Sequence, residues 1–306
     1  MMDGVPTVDF RAVGGPDHAA AVRAIGEALS TWGFVAITHH GIDPELLERA
    51  YREAEGLFAM PADVKRSYET PEDGRQRGYT SFGVEHAKDH AEADLKEFWH
   101  VGRAVPHPNS PLPSNQDPAE RPDFMPTMLA FFTQTEHFAL RLASVIAEHL
   151  GLPADFFAAR VAHGNSVLRI IHYPPVDDPQ PGAVRAAAHE DINLLTVLPV
   201  STAPGLELQT HDGRWMPVEP PAGAVVCDTG DMMQLLTGGL MRATTHRVVN
   251  PPTGLVSSRY SLPFFMHPVP DCSLVPVVGD RSFGGVPRDF TAGDYLERRL
   301  RETGVA

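Results

Sequence analysis

The chain has 306 residues, 42% of them apolar and 21% charged, with a formal net charge of −14 at pH 7. That length can bury a large core, as one domain or as a core with a helical annex, and the acidic balance without any basic run excludes a nucleic-acid surface. No run of about eighteen apolar residues exists, so no membrane-spanning helix is expected; two cysteines, Cys227 and Cys272, are too few for a disulfide framework and make a reducing cytoplasm the default.

The opening MMDGVPTVDF lacks the basic and apolar regions of a secretory leader, and its VPTVDF portion reads as a short strand. From about Pro16, apolar residues recur at Val22, Ile25, Leu29 and Trp32, which is helical spacing. GFVAITHHG is then a strand closed by a glycine turn. Leu46, Leu47, Tyr51, Ala54 and Phe58 mark a second helix that stops near Pro61. Residues 68–94 are polar and glycine-containing and read as loop, KEFWHVG as a strand, and the proline-dense VPHPNSPLPSNQDPAERPD as extended or irregular chain. A long helix is predicted from about Met125 to Leu150, with Pro126 tolerated in its first turn.

The second half changes character. SVLRIIHYPP, NLLTVLPV, LELQT, WMPVEP, AVVCDTGD, MMQLLTGG, THRVVNPP and RYSLPFFMHP are short β-type runs separated by Pro, Gly and Asp turns, the pattern of a sandwich or barrel. Cys227 falls inside one run as plain core. The tail from about Phe290 to Glu302 reads as a surface helix charged on most sides. There is no internal repeat.

AHEDINLLTVL places a histidine and two carboxylates at the mouth of an apolar strand. In an extended segment His189 and Asp191 share a face and Glu190 points to the other. An H-x-D pair alone is as well explained by a hydrogen-bonded turn, and two ligands do not hold a metal. His246, at the start of THRVVN, is the best third donor, and two histidines with one carboxylate form the facial triad of non-haem iron, with positions left open. A dozen residues on, Arg259 and Ser261 share a face of RYSLPFF; an arginine fork beside a hydroxyl suits a carboxylate, and a strand-edge arginine in solvent is the plainer alternative.

Taken together, HED, THRVVN and RYSLPFF resemble the isopenicillin N synthase-like family of iron(II)- and 2-oxoglutarate-dependent dioxygenases. VPTVDF, WGFVAITHHGI, LFAMPADVKRSY, GYTSFGVE, DLKEFWHVG and GDMMQLLTGG are similar to further family elements, in family order from about residue 5 to about residue 268. The resemblance implies a mainly β fold: a double-stranded β-helix (jelly-roll) core over 151–306, carrying the C-terminal segment, and a mixed α/β region over 1–150 ending in a long support helix, packed as one integrated domain. It implies that His189, Asp191 and His246 bind Fe(II), that Arg259 and Ser261 hold the distal carboxylate of 2-oxoglutarate, and that Tyr173 helps to place that cosubstrate. Relatives commonly carry an asparagine two positions before the tyrosine; here it is Ile171, and Glu190 replaces a frequent threonine.

The implied reaction consumes dioxygen and 2-oxoglutarate, releases succinate and CO2, and hydroxylates, desaturates or cyclises a small-molecule substrate. Phe98 and His100 lie on a segment that faces substrate in relatives, and Arg169 is expected to point at the site because its strand leads to Tyr173. Leu198, Val248 and Phe264 are expected on the apolar wall, with Phe264 also a substrate contact. His39–His40, the His86/His90 pair and the hairpin-turn His211 are set aside as metal sites. Two other readings stay open: a non-haem iron oxidase that dispenses with 2-oxoglutarate, one family example drawing electrons from ascorbate, and a non-catalytic jelly-roll binding protein.

Overall fold

The structure is a computed structural model and describes residues 4–88, 92–104, 112–252, 254–287 and 289–304. In chain order, β1 (Thr7–Asp9) leads to α1 (His18–Trp32), β2 (Phe34–Thr38), α2 (Pro44–Phe58), α3 (Ala62–Arg66), β3 (Gly78–Thr80) and β4 (Glu97–Val101). Then come α4 (Phe124–His149), α5 (Phe156–Val161), β5 (Val167–Tyr173), β6 (Ala186–His189), β7 (Leu195–Pro199), β8 (Leu206–Gln209), β9 (Trp215–Pro217) and β10 (Val225–Thr229). The chain ends with α6 (Asp231–Leu236), β11 (His246–Val248), β12 (Arg259–Ser261), β13 (Phe264–Met266) and α7 (Ala292–Glu302).

Local sequence explains the helix ends. α2 starts where Asp43 accepts the Glu45 amide (2.9 Å) with Pro44 in the first turn. α1 stops at Gly33, which takes φ 67°; a Cβ there would lie 2.4 Å from the Thr244 hydroxyl. α4 is the central strut. Phe131, Phe138, Leu142 and Ile146 are all fully buried, and α1 and α2 pack on it.

Among the described residues the larger sheet runs β1-β2-β10-β7-β13-β5-β4-β3, with β12 also paired to β5, and the smaller runs β6-β11-β8-β9. β1–β2 is parallel and the other pairs are antiparallel. The two sheets form the jelly-roll core, and strands from both halves of the chain share the larger one. That sheet is buried on both faces. Leu168 and Ile170 of β5 turn to the helices, while Arg169, Ile171 and Tyr173 turn inward to a cavity between the sheets.

Three elements depart from the sequence reading. The segment 68–94 contains β3, paired with β4. MMQLLTGG is not a strand. It begins as α6, where Leu236 falls one helical turn after Met232 and Met233 and all three are buried. RYSLPFFMHP splits into β12 and β13 around Leu262–Pro263, because proline cannot donate to the ladder.

Candidate active site

His189 ends β6 and His246 begins β11, and antiparallel pairing sets the two residues directly opposite. Their rings lie 4.4 Å apart. Asp191, just past the strand end, brings Oδ1 to 3.8 Å from His189 Nε2 and 3.7 Å from His246 Nε2. The three donor atoms lie within 4.8 Å of one another. His189 Nδ1 sits 2.7 Å from the Ala187 carbonyl and His246 Nδ1 3.1 Å from the Thr244 carbonyl, so each Nδ1 carries the proton and each Nε2 presents a lone pair. Two imidazole lone pairs and a carboxylate oxygen converging without a proton between them repel one another unless a cation sits there. The donor set therefore fits a divalent metal, and its mix of nitrogen and oxygen suits iron.

Charge and hydrogen bonding keep this set ready. Burial, then the neighbouring His246, hold the His189 imidazole below its usual pKa, which keeps it neutral. Burial would raise the Asp191 carboxyl, but attraction to His246 and His189 whenever either ring is protonated, and the Thr196 hydroxyl, outweigh it and hold the group below its usual range. Thr196 donates to Asp191 Oδ2 and receives Asn193 Nδ2 at 2.9 Å. Asp228 lies beside them on β10. Burial, then Asp191, push its carboxyl well above the usual range. α6 braces the ligand loop from below: the Asp231 amide donates to the Asp191 carbonyl (2.7 Å) and the Met232 amide to that of Asn193 (3.1 Å). Gly230 makes this approach feasible, since a Cβ would stand 2.4 Å from the Asn193 carbonyl oxygen.

The triad opens onto a cavity of about 180 Å3. At one end lie Arg259, Ser261 and Tyr173, all buried. Arg259 donates through Nε to the Ala203 carbonyl and through Nη2 to Ser201 Oγ, both at 2.9 Å, and its guanidinium lies over the Tyr173 ring. Ser261 Oγ shares the same Ser201 hydroxyl (3.0 Å). Arg259 lines the cavity, and its Nη1 is buried with no partner among the described residues, a charged donor left unsatisfied beside a ligand-sized space. Ser201, which joins both predicted anchors, was invisible from sequence because it follows β7 in a loop with no motif of its own.

The other end is polar. Arg169 donates through Nε to His100 Nε2 (2.6 Å) and through Nη1 to Glu85 (3.1 Å), above the Phe98 ring. Glu85 also meets Lys96 at 2.6 Å, and Lys96 meets Asp94 at 2.7 Å. Burial, then Arg169, push the His100 imidazole well below its usual pKa; with Nδ1 against the Arg75 carbonyl, it stays neutral. Sequence reading missed Glu85, Lys96 and Asp94, because they sit in and beside a stretch taken for loop.

Other expectations shift. Phe264 does not face the cavity: it pairs with Leu168 and Val197 on the helix side and packs edge-on against Phe132, while Phe265 lines the space. Leu198 and Val248 do line it, and Phe98 lies behind Arg169. Glu190 is no bystander, since it accepts the Thr245 hydroxyl beside His246 and ties the two ligand strands together. α7 is not a free surface helix. Leu296, Arg299, Leu300 and Thr303 cap the cavity, and Tyr295 donates to Asp231 at 2.6 Å. His40 bonds the Gly223 carbonyl and the Ile42 amide, a turn role, and His211 is exposed. His86 contacts the α7 end, and His90 lies outside the described residues.

Residues 5–128 match the family described as non-haem dioxygenase in morphine synthesis N-terminal, and residues 164–268 match the 2OG-Fe(II) oxygenase superfamily. Proline hydroxylase buaE of Petromyces alliaceus is 31% identical over 93% of this chain and 93% of its own. The chain belongs to the 2OG-Fe(II) oxygenase superfamily. The 2-oxoglutarate-Fe(II) type oxidoreductase hxnY of Emericella nidulans is likewise 31% identical, over 89% of this chain and 82% of that one. Among solved structures, this oxygenase is similar to a Caulobacter crescentus protein assigned to the 2OG-Fe(II) oxygenase family (TM-score 0.84, 35% identity, 98% and 99% covered). It is also similar to Neurospora crassa T7H in complex with alpha-KG and thymine (TM-score 0.83, 27% identity, 98% of both). The oxygenase is thus a dioxygenase that uses Fe(II) and 2-oxoglutarate. No helix among its described residues is long and apolar enough to cross a membrane.

Proposed function

We propose that His189, Asp191 and His246 hold the iron, that Arg259 and Ser261, flanked by Tyr173, hold the distal carboxylate of 2-oxoglutarate, and that the end lined by Arg169, His100 and Phe265 receives the substrate. The observation that carries this is the unpartnered, buried Arg259 Nη1 on the same cavity as the convergent triad. With both groups bound, the metal and cosubstrate supply oxidative decarboxylation to succinate and CO2 coupled to oxidation of an unactivated carbon. The protein's own side chains do the rest. The Ala187 and Thr244 carbonyls keep the imidazoles aimed, and Thr196 keeps Asp191 ionised and turned. Ile171, where relatives often carry asparagine, gives the cavity floor an apolar patch, so Arg259 and Ser261 bear the polar contacts to the cosubstrate.

The substrate reading follows from size and charge. At the polar end the cations Arg169 and Lys96 are matched by the anions Glu85 and Asp94. A small polar molecule without strong net charge, in the range of an amino acid or a pyrimidine base, fits this balance; buaE is named a proline hydroxylase, and T7H was solved with thymine. We also infer a cytoplasmic setting, supported by two unpaired, buried cysteines. Anaerobic addition of Fe(II) and then 2-oxoglutarate tests the assignment: a visible metal-to-ligand charge-transfer band is expected, and iron binding without the band would refute it. Succinate release against a panel of amino acids, cyclic imino acids and nucleobases then tests the substrate class. Turnover confined to large apolar compounds would overturn it.

A further inference from the structure

A second buried arginine stands behind the strand that carries Arg259, outside the cavity lining. Arg185, immediately before β6, is 1% exposed. Its backbone amide donates to Asn250 Oδ1 (3.0 Å) and its Nη2 to the Ser257 carbonyl (2.9 Å), while its Nε is buried without a partner among the described residues. Ser257 stands two residues before Arg259. Among the described residues neither arginine forms an ion pair with a carboxylate. A buried guanidinium with no protein anion is costly to keep, so the Ser257 carbonyl that Arg185 holds is a contact the fold cannot lightly lose. Burial, then the charge of Arg259, lower the Arg185 guanidinium, and Tyr173 pulls the other way.

We propose that Arg185 is a positioning residue for the cosubstrate: it pins the chain entering β12 through the Ser257 carbonyl, so orienting the Arg259 fork toward the distal carboxylate. This rests on the reading of Arg259 given above. The role differs from general packing in one respect, since it concerns the distal carboxylate and leaves the metal-chelating 2-oxo acid group alone.

The test uses the full chain loaded with Mn(II), with calorimetric titration of 2-oxoglutarate and, separately, of 2-oxobutyrate, which keeps the chelating group and lacks the distal carboxylate. Arg185→Met should raise the Kd for 2-oxoglutarate about tenfold or more, the scale of a charge-assisted contact, and leave 2-oxobutyrate within about twofold of wild type. Arg185→Lys, which keeps the charge and loses the fork, should fall between. Equal weakening of both acids, or no weakening of either, overturns the proposal. If Arg185→Met does not fold, Arg185→Lys carries the same comparison: selective loss of 2-oxoglutarate binding supports the role, and equal or absent loss overturns it. A metal-loaded wild type that bound no 2-oxoglutarate would sink the cosubstrate assignment itself, and this inference with it.

Discussion

Replacing Arg259 by alanine gives the sharpest test of how the cavity divides its work. The guanidinium has five N–H donors. Two are committed to the Ala203 carbonyl and Ser201 Oγ, so three remain, including both on the unpartnered Nη1. A carboxylate bound there gains charge-assisted hydrogen bonds worth about 1.5–3 kcal/mol each before cooperativity, and truncation leaves that carboxylate buried and unpaired at a cost of about 2–5 kcal/mol. Taking about 3 kcal/mol, half-saturation by 2-oxoglutarate should rise roughly a hundredfold. Arg259→Lys keeps the charge without the fork and should recover about tenfold of that. Titrating the charge-transfer band with 2-oxoglutarate under argon reads both variants. Iron affinity, measured without cosubstrate, should hold within about twofold, because Arg259 touches none of the three metal donors. An alanine variant whose half-saturation stays within about threefold of wild type refutes the anchor.

Three further outcomes are expected. Thr196→Val removes the hydroxyl that donates to Asp191 and orphans Asn193 Nδ2, so Fe(II) affinity in a chelator competition should fall about tenfold with little change in fold; unchanged affinity would mean the hydroxyl does not orient the ligand. Gly230→Ala forces a Cβ against the Asn193 carbonyl, so it should lower stability by about 2–4 kcal/mol in urea and release iron, and a variant as stable as wild type contradicts the close approach. His267, at the cavity rim, has its pKa lowered by burial to about 4. Because the folded value lies below the unfolded 6.5, the folded state binds the proton less well, so stability is lost as pH falls through 6.5 and the loss is complete below 4. At pH 5 the contribution is about 2 kcal/mol. The urea midpoint of His267→Gln should therefore fall less steeply between pH 7 and 5 than that of wild type, and parallel curves would exclude the histidine as the source.

What the sequence disclosed depended on how locally each fact is encoded. His189 and Asp191 share a strand end, so alternation alone puts them on one face, and Arg259 and Ser261 follow the same rule. Carried two residues further, that rule passes through Pro263 to Phe265, the residue that does line the cavity; Phe264 was one position out of phase. The α6 segment misled because six residues are too few to separate helical from strand periodicity. Its helix depends on capping by the Asp191 and Asn193 carbonyls, a tertiary fact. Glu85, Lys96 and Asp94 escaped for a related reason: Glu85 reaches Arg169 across the fold from a stretch whose polar composition reads only as loop, and Lys96 and Asp94 join the network only through Glu85.

β5 shows how one strand organises the chemistry. Its inward residues Tyr173, Ile171 and Arg169 succeed one another at about 6.6 Å per step, twice the strand rise. On the reading proposed above the tyrosine marks the cosubstrate end, the isoleucine the middle and the arginine the substrate end, while the triad faces this row from the β6–β11 ladder. The charges at the two ends differ in kind. At the tyrosine end Arg259 has no protein counter-ion among the described residues, which is why it is proposed above to take an anion. At the arginine end Arg169 and Lys96 are already neutralised by Glu85 and Asp94. On that proposal a dicarboxylate favours the tyrosine end, because only there does its charge replace a missing partner, and the arginine end is left for a molecule recognised by hydrogen bonds and shape.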